Sequence, residues 1–358
     1  MKLREIRLQD FRNIPEARLQ FASDRCFFFG ANGQGKTNLL EAIGYVSALR
    51  AFRPGDNRVL IRGEAAEAAI AYRIEHETLG PSEVLLRIRP KSKEAVFDGN
   101  PMRRLADIIG RFPTVLFASE DIQLVRGSPA LRRRFLDLHL ASLDPDYLEV
   151  LQHFHRALEQ RNRLLKDDAR KPGPIAGFER ELAEAAAGVV VRRRAGVAVL
   201  ADLVHTHYGR IAGDAEKAAI EYRADVDGND AGAFLASLER HRARDIQMKS
   251  TQHGPHRDDL VLRIDGREAP LFGSEGQQRA LVLALRFAQF RDARRRTGIA
   301  PVVLADDVLG ELDSARRLRF WDSLDHDVQL FATGTALPVD REHCWELFRV
   351  EAGRFFAA

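Results

Sequence analysis

The sequence predicts an α/β fold made of a head with a glycine-rich loop, an antiparallel β subdomain and an inserted helical arm. Two apolar runs indicate the head, because one breaks into the loop near the start of the chain and another ends in paired carboxylates near its end. Between them, residues 126–244 carry long helical patterns rich in Ala, Leu, Arg and Glu. We therefore expect a discontinuous head at 1–125 and 245–358, interrupted by the arm.

Composition limits the possible functions only loosely. The 358 residues exceed what one compact core usually holds, and a net charge of +3 is a weak argument for any partner. The two cysteines, Cys26 and Cys344, have no metal-ligand spacing and suit a reducing cytoplasm. No apolar run approaches the roughly 20 residues that a membrane helix needs, so we expect a cytoplasmic protein without a membrane partner.

The glycine-rich loop fits the pattern G-x-x-x-x-G-K-[ST]. In such loops backbone N–H groups wrap a polyphosphate, the lysine reaches the terminal phosphates and the hydroxyl holds Mg²⁺. A strand pattern before the loop and helical spacing after it favour this interpretation over a glycine turn that binds nothing. The candidate nucleotide-binding residues are Gly30, Ala31, Asn32, Gly33, Gln34, Gly35, Lys36, Thr37 and Asn38.

The segments around this loop predict an antiparallel sheet beside it. Residues 3–11 alternate as a half-buried strand does, and 17–21 can return as its partner. Strand character follows at 68–74 and 84–88, and 96–101 reads as a hairpin.

The helical arm contains most of the clustered basic residues. Any one arginine triplet is as easily a solvated helix face, but several triplets in one arm favour a surface that follows phosphates. The candidate DNA-binding residues are Arg132, Arg133, Arg134, Arg192, Arg193 and Arg194, and Arg161 and Arg163 form a further cluster.

Three later segments carry acids or hydroxyls at the ends of regular elements. Ser274 opens a strongly apolar helix, and this helix start is either an anion site or an ordinary N-cap. Residues 301–305 form a buried strand that ends in Asp306 and Asp307. In P-loop enzymes the first such acid coordinates Mg²⁺ and a neighbouring acid can deprotonate the attacking water. A strand at 328–335 then ends in hydroxyls, although a plain strand-to-turn exit is as good an interpretation.

The order of these motifs resembles ABC-type ATPase heads of chromosome-maintenance and recombination proteins, and in detail it resembles the RecF family. The resemblance covers nearly the whole chain. It rests on the segments Asn32–Ile43, Gly127–Pro129 with Arg132–Asp137, Gly254–Leu260, Gly276–Arg279, and Asp306–Val308 with Glu311–Asp313.

The resemblance implies a weak ATPase that uses ATP and Mg²⁺ and dimerises around two ATP molecules. Signature residues Ser274, Gly276 and Gln277 of one subunit would face the γ-phosphate held by Lys36 and Thr37 of the other. Thr37 and Asp306 would hold the metal, and Asp307 and Lys36 would act in catalysis. Gln123 is a further metal-sensing candidate, with an exposed helix glutamine as the simpler interpretation.

The family also binds duplex DNA near single-strand gaps, works with RecR and RecO, and helps RecA to load. Glu275, Gly310 and Gly334 depart from the family pattern, which affects the contacts expected between subunits and the expected hydrolysis rate, and not nucleotide binding. A transporter-type ATP-binding subunit and a small-molecule P-loop kinase are the alternatives, because they share parts of the same motif set.

Overall fold

A computed structural model describes residues 1–358 except 53–54, 168–171, 214 and 339–343. The segment Lys171-Pro172-Gly173-Pro174 predicts a helix break; Lys171 lies outside the described residues, and a helix begins at Pro172. By its internal contacts the chain forms two compact units, one of Met1–Asp121 with Gln289–Ala358 and the other of Ile122–Ala288. Within the described residues, no helix combines the length and the apolar character needed to cross a membrane.

The strands confirm the predicted sheet-forming segments. They are β1 Lys2–Phe11, β2 Ile14–Gln20, β3 Arg25–Phe29, β4 Ala68–His76, β5 Gly80–Ile88, β6 Lys93–Phe97, β7 Asn100–Pro101, β8 Thr114–Ala118, β9 Ala218–Arg223, β10 Asp259–Ile264, β11 Arg267–Glu268, β12 Val302–Asp306, β13 Leu330–Gly334, β14 Glu346–Glu351 and β15 Arg354–Ala357.

The α-helices are concentrated in the middle of the chain, as the helical patterns predict. They are α1 Lys36–Ala48, α2 Gln123–Arg126, α3 Pro129–Ala141, α4 Pro145–Asp167, α5 Pro172–Ala212, α6 Ala231–Met248, α7 Ala269–Phe272, α8 Glu275–Thr297, α9 Val308–Glu311 and α10 Ser314–Ser323.

The first unit contains two six-stranded sheets. The strand order of one is β2-β1-β4-β5-β6-β7, and its neighbours pair antiparallel, as expected. The other sheet has the order β15-β14-β3-β13-β12-β8, in which β3, β13, β12 and β8 run parallel. Because the carboxyl ends of parallel neighbours meet at one edge, the loops after β3, β12 and β13 gather there.

A buried glutamine ties the two sheets together. The side chain of Gln329, just before β13, is fully buried and makes both of its hydrogen bonds to the backbone of Leu3 in β1, at 2.6 and 2.9 Å. Around it, apolar side chains such as Ile6, Phe28 and Leu304 form a shared core. Since an unpaired buried amide would be costly, this pairing favours one register between the sheets.

The second unit consists of α2–α7, most of α8 and the three-stranded sheet β11-β10-β9. It does not end at residue 244, as the predicted arm does, but continues to Ala288. The reason is long-range pairing, since β10 pairs with β9 and Asp259 in β10 binds Arg132 in α3. Helical periodicity cannot reveal contacts of this kind.

Buried ion pairs hold the second unit together. The Arg161 guanidinium is fully buried and donates to Glu179, Asp245 and Thr251 at 2.8–2.9 Å. Two residues later, Arg163 is 70% exposed and pairs with Glu159 at 3.6 Å. The two arginines of one sequence cluster therefore have different environments.

Replacing Arg161 is expected to destabilise the second unit. Arg161→Ala removes the cation that pairs with the buried Asp245 carboxylate, whereas Glu179 keeps its pair with Arg242, so the free energy of unfolding should fall by about 3–5 kcal/mol. The matched control Arg163→Ala removes an exposed ion pair and should change it by less than about 1 kcal/mol. Urea unfolding followed by circular dichroism compares the two, and equal midpoints would contradict the structural role of Arg161.

Candidate nucleotide-binding site

The glycine-rich loop connects the end of β3 with the start of α1 in the first unit. Lys36 is buried as the first residue of α1, and its Nζ donates to the carbonyls of Gly30 and Ala31 at 2.7 and 3.0 Å. The ammonium group therefore lies inside the curve of the loop, where the terminal phosphates of a nucleotide would be held. The lysine stabilises the loop with the same donors that would bind phosphate.

Two glycines in this loop occupy positions that other residues would strain. Gly35 has a φ of +111°, and a Cβ on Gly30, whose φ is +155°, would lie 2.3 Å from the carbonyl oxygen of Val350. Only glycine fits such a close backbone approach at low cost. The spacing of the motif therefore reflects the local packing as well as ligand binding.

Neighbouring turns hold the loop in place, and the sequence gives little sign of them. Asn13, in the β1–β2 turn, accepts from Asn38 at 2.7 Å and donates to the Gly33 carbonyl at 3.3 Å. Gln34 accepts from the backbone of Ala352 and Gly353 in the β14–β15 turn, at 2.7 and 2.8 Å. Both turns contain residues at positive φ. Only the register of the strands shows that these two turns contact the loop.

The acidic strand ends directly beside the loop. Asp306 Oδ1, at the end of β12, accepts from the hydroxyl of Thr37 at 2.9 Å and from that of Thr333 at 2.8 Å. Asp307 follows at a φ of +56° and donates its backbone N–H to the same Thr333 hydroxyl at 3.0 Å. Thr37 and Asp306 thus bring together two oxygen ligands of the kind that Mg²⁺ uses with phosphates.

Thr333 is the residue of this site whose role the sequence left undecided. It is almost fully buried at the end of β13, and its hydroxyl connects the carboxylate of Asp306 with the backbone of Asp307. A hydroxyl at the end of a strand was the available signal, but it does not indicate which group the hydroxyl meets. The structure makes Thr333 a positioning residue for both acids.

The predicted signature lies in the second unit, at the start of α8. Ser274 and Gln277 bond reciprocally, with the Ser274 N–H donating to Gln277 Oε1 at 2.8 Å and the Gln277 N–H to Ser274 Oγ at 3.3 Å. This is a capping box, so the N-cap interpretation is confirmed as local geometry. Ser274 is also exposed and Gly276 half-exposed, which leaves this helix start accessible to a partner.

The candidate DNA-binding arginines separate into two groups. Arg132 is buried and binds Asp259 at 2.8 and 3.0 Å, and Arg193 is buried against Asp137 and Asp258 at 2.8–3.3 Å. These two correct the sequence prediction, because a guanidinium enclosed by carboxylates cannot meet DNA phosphates.

The remaining arginines of those triplets are more accessible. Arg133 donates to the Asp258 carbonyl, and burial lowers its pKa. Arg134 and Arg192 are half-buried, and Arg194 is exposed with its guanidinium 5.7 Å from the ring centre of Tyr222. A helical triplet turns its members to different sides, so the three residues of each cluster could not all share one environment.

The residues that depart from the family pattern lie in different environments. A Cβ on Gly334 would lie 2.7 Å from the ring of Phe27, whereas one on Gly310 would meet open space. Glu275 pairs with Arg279 at 3.1 Å, one turn along α8. Gln123 is exposed at the start of α2, as the simpler interpretation predicts.

Comparisons with known proteins agree with this geometry. The chain matches the family described as RecF/RecN/SMC N terminal domain over residues 2–336. The DNA replication and repair protein RecF of Streptococcus thermophilus is 35% identical over 342 residues, covering 94% of this chain and 93% of that protein. The chain belongs to the RecF family. RecF of Chloroflexus aurantiacus is likewise 35% identical, over the full length of both chains.

Solved structures place the chain in the same family. A structure titled as the recombination mediator protein RecF–ATP in the RecFOR pathway matches with a TM-score of 0.90 and 28% identity, covering 99% of this chain and 97% of that one. An Smc head bound to a domain of ScpA matches at 14% identity with a TM-score of 0.55, which shows a common fold only. The chain is thus an ABC-type ATPase head of the RecF family that functions in DNA replication and repair, and neither alternative function is favoured.

Removing the Thr333 hydroxyl is expected to slow ATP hydrolysis. Thr333→Val keeps the side-chain shape but removes the bonds to both acids, so activity should fall about 10- to 100-fold, with half-saturation at higher Mg²⁺. Thr78 is exposed in the turn between β4 and β5 of the same unit and provides the control Thr78→Val, which should retain activity. Steady-state hydrolysis titrated with Mg²⁺ tests this, and an unchanged Mg²⁺ dependence in Thr333→Val would refute the positioning role.

Proposed function

We propose that this RecF-family ATPase binds ATP and Mg²⁺, dimerises through the bound nucleotides and holds duplex DNA near single-strand gaps. The observation that carries the proposal is the convergence of Lys36, Thr37, Asp306 and Asp307 at one edge of the parallel sheet. Family membership and the ATP-bound relative support the choice of nucleotide.

The residues at this edge fit an ATP–Mg²⁺ ligand. Residues Gly30–Asn38 would wrap the phosphates with backbone N–H groups, and Lys36 would exchange its carbonyl partners for phosphate oxygens. Thr37 and Asp306 would hold the metal, which when bound offsets the negative charge of the phosphates. Gln123 remains a weaker candidate for sensing it.

Asp307 is the proposed catalytic acid–base residue. Its backbone is fixed by Thr333, and its side chain lines an open cavity beside the loop. A carboxylate held in that position can orient a water molecule and accept its proton. Lys36 would stabilise the negative charge that develops on the transferred phosphoryl group.

Dimerisation would complete the site. Ser274, Gly276 and Gln277 form an accessible helix start, a geometry that favours anions. A ligand shifts a monomer–dimer equilibrium only if it binds the dimer better, and phosphate contacts from both subunits would supply that difference. Hydrolysis would remove the shared phosphate and release the dimer.

The helical arm is the proposed DNA contact, through the accessible arginines Arg133, Arg134, Arg192 and Arg194. Phosphate contacts of this kind are insensitive to sequence and depend strongly on salt. We further propose that the chain acts in the cytoplasm with RecR and RecO and assists RecA loading. The similar structure of a recombination mediator protein in the RecFOR pathway supports RecR and RecO as partners.

Loss of the loop lysine is expected to abolish dimerisation driven by ATP. Lys36→Ala removes the charge that faces the terminal phosphates, so ATP should no longer raise the molecular mass in analytical ultracentrifugation. The control is Lys93→Ala, which replaces a lysine in β6, away from the loop. This variant should dimerise with ATP as the unmodified protein does. ATP-dependent dimers of Lys36→Ala at normal strength would count against the proposal.

Neutralising accessible arm arginines should weaken DNA binding uniformly across sequences. If Arg192 and Arg194 each contact one phosphate, the double variant to Ala should reduce the slope of log K against log salt by about 1.8. Arg58→Ala removes an exposed arginine of the first unit that pairs with Asp56 at 2.9 Å, and it should leave the slope unchanged. Fluorescence anisotropy of a gapped duplex measures both slopes, and identical ones would exclude this part of the arm.

A further inference from the structure

An exposed apolar pair precedes the signature helix. Leu271 is 72% exposed and Phe272 is 64% exposed, at the end of α7 in the second unit. Large apolar side chains exposed next to one another mark contact surfaces more often than isolated ones do. Phe272 lies two residues before Ser274, so the two are at most about 7 Å apart along the chain.

The junction between α7 and α8 holds this pair in a fixed place. The buried amide of Gln278 donates to the carbonyls of Ala269 and Gly273, both at 3.0 Å, and its oxygen accepts from Arg126 at 2.6 Å. Ala269, the first residue of α7, is fully buried. The pair is therefore presented in a defined position relative to the signature and is not part of a loose loop.

The first unit contains a cavity suited to such a side chain. The cavity has a volume of about 380 Å³ and lies against the nucleotide site. Asn32 and Asp307 of that site form part of the cavity wall. Its other walls include Phe27, Trp321 and Trp345, and the ring of Trp345 contacts those of Phe27 and Trp321 edge to face, with centres 5.3 and 5.8 Å apart. The cavity is thus continuous with the position of the terminal phosphates, and its walls combine aromatic rings with aliphatic and polar side chains.

We propose that Phe272 of one copy, supported by Leu271, enters this cavity on a second copy when ATP joins them. The inference rests on the proposed ATP-dependent dimer. If Ser274 reaches the phosphate held at the partner's loop, then Phe272 lies within about 7 Å of Ser274. At that distance Phe272 meets the mouth of the neighbouring cavity. An aromatic side chain packed against aromatic rings of a partner is typical of the residues that dominate interface energies. A two-fold dimer makes the contact twice.

The chain carries its own reporter for this contact. Its two tryptophans, Trp321 and Trp345, both line the cavity, so intrinsic tryptophan emission reports what enters it. Emission and molecular mass are measured together with ATP and Mg²⁺ over a range of protein concentrations. In the unmodified protein the emission change should follow dimer formation and not ATP saturation, because the side chain comes from a second copy.

Variants on both sides of the contact test it. Phe272→Ala should keep ATP binding but weaken dimerisation at least about 10-fold, and its remaining dimers should lack the emission change. Leu337→Arg, at a 55% exposed position lining the cavity, should weaken dimerisation in the same way. Met248→Ala, which removes a 54% exposed side chain from α6 of the same unit as Phe272, is the control and should behave as the unmodified protein does.

The outcomes separate the two proposals. An unmodified protein that binds ATP without dimerising refutes the proposed function. ATP-dependent dimers with equal affinity and an equal emission change in Phe272→Ala refute the Phe272 contact alone. An emission change complete at concentrations where the protein is monomeric also refutes it, and assigns the cavity to the nucleotide or another small ligand.

Discussion

The carboxylate of Asp306 is the point on which the nucleotide site depends. It accepts hydrogen bonds from two threonine hydroxyls that come from distant parts of the chain, Thr37 after the loop and Thr333 at the end of β13. Hydrogen bonds to a charged acceptor are stronger than neutral ones, and leaving a buried hydroxyl unpaired is costly. The ends of β12 and β13 and the start of α1 are therefore fastened to one another before any ligand arrives.

This arrangement couples the proposed metal position to the exit of β13. Thr333 connects Asp306 with the backbone of Asp307. The residues that follow it, Gly334 to Pro338, line the cavity beside the nucleotide site. The chain thus has a short physical route from the phosphate site to the surface on which we propose that a second copy docks.

Buried ion pairs hold the second unit together, and its composition does not show which charged residues are buried. Arg132, Arg161 and Arg193 each lie inside the unit with carboxylate partners at 2.8–3.3 Å. Removing one member of such a buried pair lowers the free energy of unfolding by more than an exposed pair contributes to it. These arginines therefore fix the packing of the helices. The positive charge available to DNA is correspondingly smaller than the sequence suggests, and it belongs to neighbours such as Arg194.

By itself the sequence determined the class of fold, the loop from Gly30 to Asn38, the strand that ends in Asp306 and the family, because these features are local patterns in which spacing reflects chemistry. Tertiary structure alone decided that Asn13 and Gln34 support the loop, that Thr333 connects the two acids, and that the second unit extends to Ala288. It also decided which arginine of each triplet is buried. These outcomes depend on strand pairing and helix rotation between residues far apart in the chain, and a local pattern carries no information about such distances.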